Sequence, residues 1–156
     1  MGVIEVPAEV GSLLESGAAG WLATTNESGL PETTRVMGAD VGPKRRSITL
    51  YVPLDQAGMT FDNLRKSDRL AVIFVKVTNY RAMQMKGDLI SMREGNESDR
   101  PRVERYTRDF ADDCVKVGLT RELILSLRDW PAMVVEMSVN AIFLQSPGPE
   151  AGTPWR

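Results

Sequence analysis

Residues 50–75 read "LYVPLDQAGMTFDNLRKSDRLAVIFV". Residues 50–52 form a strand that runs into a proline and a short loop. Thr60–Lys66 then reads as a helical turn, and "RLAVIFVKV" as a near-continuous apolar strand. Such a strand is covered on both faces, as in a barrel wall lying under a helix or a partner subunit. Strand, loop and helix N-terminus in succession is where chains often hold an anionic group, because unpaired backbone N–H groups converge there. The loop "LDQAGM" nevertheless carries no lysine or arginine, so its fitness for a phosphate is open from the residues alone.

Upstream, residues 7–16 read as a short helix closed by Gly17. "GWLATTNESGLPETTRVMG" follows as a hairpin, with strands at 21–25 and 32–37 and turn chemistry around Gly29. A loop with Pro43 and the basic run Lys44, Arg45 and Arg46, which reads as a solvated loop, leads to a strand at 47–52. Downstream, "YRAMQMKGDLISM" is extended, and Gly87 inside it marks a bulge or a close backbone approach. "ESDRPRVERYTRDFADDCVKVG" is a helix with Ser98 or Asp99 as cap, Pro101 in its first turn and Gly118 at its end. Val103, Tyr106, Phe110, Cys114 and Val117 form its apolar stripe. After a short helix at 121–127, "AMVVEMSVNAIFLQ" alternates, with Met133, Val135, Met137, Val139, Ala141 and Phe143 on one face. About six strands with short antiparallel connections favour a closed barrel over an open sheet. The expectation is one α+β domain over residues 1–156. Its six-stranded antiparallel barrel spans about 18–145 with flanking helices, and its tail at 146–156 is too rich in Pro and Gly for regular structure.

Composition narrows the chemistry. A net charge of −2 over 156 residues argues against a chain-wide attraction to nucleic acid or acidic membranes. No apolar run reaches the length of a membrane span, and a cytoplasmic protein is expected. The single cysteine, Cys114, reads as a buried structural thiol and forbids an intrachain disulfide. There are no histidines, which removes Ser-His-Asp and Cys-His chemistry, ordinary zinc sites and histidine-ligated haem. Any chemistry is then borrowed from a cofactor.

Four stretches, in order, resemble the flavin-binding split-barrel superfamily typified by pyridoxamine 5′-phosphate oxidase: the hairpin "GWLATTNESGLPETTRVMG", the stretch at 50–75, "YRAMQMKG" and the tail "FLQSPGPEAG". The resemblance implies a homodimer with flavin mononucleotide (FMN) in a groove between the chains, and a small-molecule substrate or a nicotinamide nucleotide as reaction partner. It matches Arg35 to the family's phosphate-binding arginine. Val36, Met37, Tyr51 and Val52 match strand positions along the flavin ring, and Gln84 a glutamine at its polar edge. The family's Ser-Arg-Lys loop falls on Ala57, Gly58 and Met59, so the hydroxyl and both cations are missing there. Only Thr60 keeps a hydroxyl, and Lys44, Arg45 or Arg46 are the cations left to compensate. Arg35 could instead pair with Glu32 or Asp40. Trp155 and Arg156 resemble an aromatic–cation pair over a partner's flavin, with a frayed tail as the alternative. The absence of histidine argues against pyridoxamine-phosphate oxidation itself. Two other readings stay open: a flavin-free split barrel serving as a binding or interaction module, and a haem-binding relative whose axial ligand is Tyr, Cys or Met.

Overall fold

A computed structural model describes residues 2–155; Arg156 lies outside them. The chain runs α1 (Ala8–Leu14), β1 (Ala19–Thr25), β2 (Pro31–Val36), β3 (Ala39–Val41), β4 (Ser47–Pro53), α2 (Thr60–Lys66), β5 (Arg69–Val75), β6 (Ala82–Glu94), α3 (Arg100–Lys116), α4 (Arg121–Leu125), β7 (Ala132–Ser138) and β8 (Ala141–Leu144). All strand pairings are antiparallel, in the order β2-β1-β5-β6-β7-β4-β3, with β8 beside β6. The end of β2 then meets β4: the Met37 N–H donates to the Tyr51 carbonyl at 2.8 Å, and the Tyr51 N–H to the Gly38 carbonyl at 3.0 Å. These bonds close six strands into a barrel, and β3 and β8 lie outside it.

The alternating side chains sort into two apolar layers. Leu22, Val36, Leu50, Val52, Val72, Phe74, Met85, Val135 and Met137 point inward and fill the barrel. On the outside, Ala19, Met37, Tyr51 and Val134 pack under Val103, Tyr106, Phe110 and Cys114 of α3 and Ile124 of α4. The α3 stripe is therefore the one its spacing predicts, except that Val117 is exposed beyond the barrel's edge. Burial pushes the Cys114 thiol above its ordinary pKa, consistent with a structural cysteine.

Four local expectations are corrected. β5 is fully covered on one face only: Leu70, Val72 and Phe74 are buried, whereas Ala71, Ile73 and Val75 on the outside are half-buried. The final strand is two strands. Its alternation slips at Asn140, so Ile142 points inward and Ala141 and Phe143 outward, out of phase with Met133–Val139. Asp99 occupies the α3 N-cap position but does not cap it. Its carboxylate binds both terminal nitrogens of Arg93, at 2.7 and 2.9 Å, and the Asn96 N–H. The tail is ordered rather than frayed. Leu144 N–H donates to the Thr153 carbonyl and Trp155 N–H to the Ile142 carbonyl, so the tail covers the β8 edge and Trp155 packs on the core.

One buried charge ties the outer layer down. Asp113 of α3 is 4% exposed and meets Lys76 at 2.5 Å and Lys116 at 3.1 Å, while Lys76 also donates to the Ser16 carbonyl at 2.7 Å. Burial alone would raise the Asp113 carboxyl pKa, but the hydrogen bonds from Lys76 and Lys116 outweigh it and hold it below the ordinary aspartate value. Asp113→Ala is expected to cost about 3 kcal/mol in urea denaturation at neutral pH, because Lys76 is left uncompensated. A depressed folded-state pKa contributes stability above the unfolded value of about 4, lost as pH falls through the folded value. The gap between wild type and variant should therefore shrink below about pH 4; a gap independent of pH would assign the effect to packing.

Candidate functional site

The eight residues matched to the family site fall into four places. The side chains of Val36 and Val52 are fully buried inside the barrel. Met37 and Tyr51 are on the outer face but lie beneath α3. There the Tyr51 hydroxyl donates to Asp40 Oδ2 at 3.0 Å, and Arg102 pairs with the same carboxylate. Burial, then the nearby Asp99, push the Tyr51 phenol up, with Arg93 opposing. Met59 is exposed and Thr60 buried at the start of α2. Arg35 and Gln84 remain on the outer face of the sheet.

The α2 end answers the question raised by residues 50–75. The Met59 N–H, in the loop that the resemblance matches to the family's phosphate contacts, donates to Glu32 Oε1 of β2 at 2.9 Å. Gly58, where the family carries a cation, has φ +48°, and a Cβ there would overlap that same Glu32 oxygen. The missing cation and the carboxylate are thus one arrangement: the chain fills its own anion position. A phosphate added there would face a carboxylate and no cation, so the α2 end does not fit one. The basic run cannot compensate. It precedes β4, whose seven residues separate it from the α2 loop by about 20 Å, and Arg45 donates through Nε to the Val6 carbonyl at 2.7 Å, strapping the N-terminal segment to the barrel. Glu32→Ala is expected to lower the urea midpoint by an amount worth about 1 kcal/mol, the usual cost of a lost helix cap. An unchanged midpoint would mean that the contact is incidental.

Arg35 is different. Its guanidinium lies 5.2 Å from the centroid of the Phe110 ring and 5.8 Å from that of Trp21. Nε and Nη2 are buried with no hydrogen-bond partner, and no carboxylate pairs with it among the described residues. Neither expected ion pair forms, because Glu32 is held by Met59 and Asp40 by Tyr51 and Arg102. Arg35 is opposite Trp21, Trp21 opposite Ile73, Ile73 opposite Gln84 and Gln84 opposite Phe143. Arg35 and Gln84, 49 positions apart in sequence, therefore share one cross-strand row, about 14 Å from end to end. The Gln84 side chain accepts from Gln145 Nε2 at 3.3 Å.

One row along, the outer face holds a groove of about 640 Å³. Its floor is Ala23, Ala71 and Ala141, and Lys86, Arg69 and Phe143 stand around it. No sequence signal singled it out, because alanines in three separate strands form a floor only after the register is set.

No protein-family model matches the chain, and no curated protein is significantly similar to it. Solved structures do match. HupZ of Group A Streptococcus superposes with a TM-score of 0.58 at 15% identity, covering 94% of this chain and 99% of its own. A provisionally named pyridoxamine 5′-phosphate oxidase from Lactobacillus delbrueckii superposes with a TM-score of 0.56 at 12% identity, covering 89% and 93%. An FMN-binding protein from Syntrophomonas wolfei superposes with a TM-score of 0.53 at 12% identity, covering 85% and 81%. The chain shares its split-barrel fold with these solved structures, as its four motifs lead one to expect.

Proposed function

We propose that this split-barrel chain is a homodimeric flavin-binding oxidoreductase that takes FMN along the outer row from Arg35 to Gln84. The observation that supports it is a half-buried arginine whose Nε and Nη2 are buried without a partner, in register with the one glutamine that the resemblance matches to a flavin edge. Nature rarely leaves such donors unpaired, and an anion is their natural complement. In this reading Arg35 holds the phosphate, with the Trp21 and Phe110 rings fixing its guanidinium, and Gln84 meets the polar edge of the ring. The bound flavin supplies two-electron chemistry, and a nicotinamide nucleotide or another small molecule serves as reaction partner. With no histidine in the chain, pyridoxamine-phosphate oxidation is not the proposed reaction. The half-buried outer residues Ile73 and Val75, with Trp21 at 37% exposure, leave an apolar strip for a second copy.

A second reading, a flavin-free binding barrel, is favoured by Glu32 at the α2 end and by α3 over Met37 and Tyr51. The visible absorption spectrum of the purified protein, with mass analysis of whatever denaturation releases, separates the two. A flavin spectrum with released mononucleotide is expected, from a species with the mass of two chains. Protein that stays colourless after incubation with FMN would give the lead to the second reading.

A further inference from the structure

We infer that the alanine-floored groove on the outer face of β1, β5, β6 and β8 is a second binding site, for a planar aromatic anion such as an aryl phosphate or aryl carboxylate. Ala23 is opposite Ala71, Ala71 opposite Lys86 and Lys86 opposite Ala141. Ala23 and Ala71 are adjacent in this row and Ala141 follows beyond Lys86. Small side chains thus leave a trough where larger outward residues would fill the space, and a ring can lie on its floor of Ala23 and Ala71 beside the Lys86 stem. Its volume is in the range of small-molecule sites. Phe143 provides an aromatic wall, and the Lys86 ammonium is held over its ring, 4.9 Å from the centroid.

The charge of the groove selects the ligand. Neither Lys86 nor Arg69 forms an ion pair among the described residues. The one lining carboxylate, Asp88, is engaged by Asn140 Nδ2 at 2.5 Å. Two cations against one carboxylate leave the groove net positive. An aromatic anion satisfies ring and charge together, whereas a neutral ring leaves the cations unmatched and a bare anion leaves the floor uncovered. The site does not depend on the flavin reading: it lies two residues along each strand from the Arg35–Gln84 row and shares only Phe143 with it.

The test is calorimetric titration of the full-length protein, as purified, with phenyl phosphate, and with phenol and inorganic phosphate as its two halves. Saturable binding of phenyl phosphate is expected, with each half at least about tenfold weaker. Lys86→Gln should weaken phenyl phosphate by about tenfold or more while leaving phenol unchanged. Ala71→Phe should abolish binding by filling the trough, and Ala141→Leu, a smaller change at the same depth, should weaken it if Ala71→Phe proves insoluble. No saturable binding, phosphate bound as tightly as phenyl phosphate, or full affinity in the filled variant would each overturn the inference. Loss of the purified protein's visible absorbance in Ala71→Phe would also overturn it, by making the groove the flavin's own seat.

Discussion

Gly87→Ala is expected to yield insoluble protein, or a fold destabilised by more than about 3 kcal/mol. A Cβ at residue 87 would overlap the Ser138 carbonyl oxygen and come within 2.8 Å of the Ser138 carbonyl carbon and 3.1 Å of the Met137 methyl group. The obstacle is the backbone of β7, which cannot swing aside as a side chain can. The contact also sits at a structural switch. β6 pairs with β8 up to Lys86 and with β5 up to Asp88; from Leu89 it pairs with β7, and the register slips between Leu89 and Ser91. Opening that crossing would separate the two halves of the barrel. Gly118→Ala serves as the control, since Gly118 has φ +95° with nothing within 4 Å of its Cβ position; strain alone should cost about 1 kcal/mol. Soluble yield and urea midpoints read both. Equal costs for the two would mean that β6 and β7 tolerate separation at residue 87.

Arg35→Met is expected to change binding without harming the fold. Two buried unpartnered N–H groups and an uncompensated charge weigh against the native arginine, at about 1–3 kcal/mol for each unsatisfied group. The Phe110 and Trp21 contacts offset part of that, at about 0.5–2 kcal/mol each. A methionine keeps the apolar stem between the two rings. The variant's stability should therefore lie within about 1 kcal/mol of the parent or above it. Its Kd for FMN should rise at least tenfold, the effect of losing one charge-assisted contact of about 1.5–3 kcal/mol. Fluorescence titration and urea denaturation on the same preparation read both quantities. A loss of about 3 kcal/mol with unchanged flavin affinity would make Arg35 a structural residue and remove the main support for the cofactor row.

The barrel was legible where a local rule carried the information. The three- and four-residue spacing grouped Val103 to Cys114 of α3 into one apolar stripe, which the structure lays on the barrel, and Gly87 marked a bulge or a close approach, the second of which the backbone makes. Alternation failed at Asn140. A slip of one residue leaves no mark in composition, yet it moves Ala141 and Phe143 from the core to the groove. Proline and glycine in the tail hid the pairing with β8, because a bridge of a few residues needs an edge to bind to, and the edge comes from elsewhere in the chain.

The site divides along the same line. The resemblance to the split-barrel superfamily nominated Arg35 and Gln84, and residue types alone were enough to exclude histidine chemistry and to show that the loop before α2 lacks cations. Only the tertiary structure decided what stands in that loop's place. Glu32 is 27 residues from Met59, and nothing local predicts that its carboxylate meets the Met59 N–H. The same holds for the α3 cover over Met37 and Tyr51, and for the row that joins Arg35 to Gln84. Strand periodicity fixes which face a side chain takes, and that is written in neighbouring residues. Which side chains meet across strands depends on register and closure, set by the whole barrel core at once.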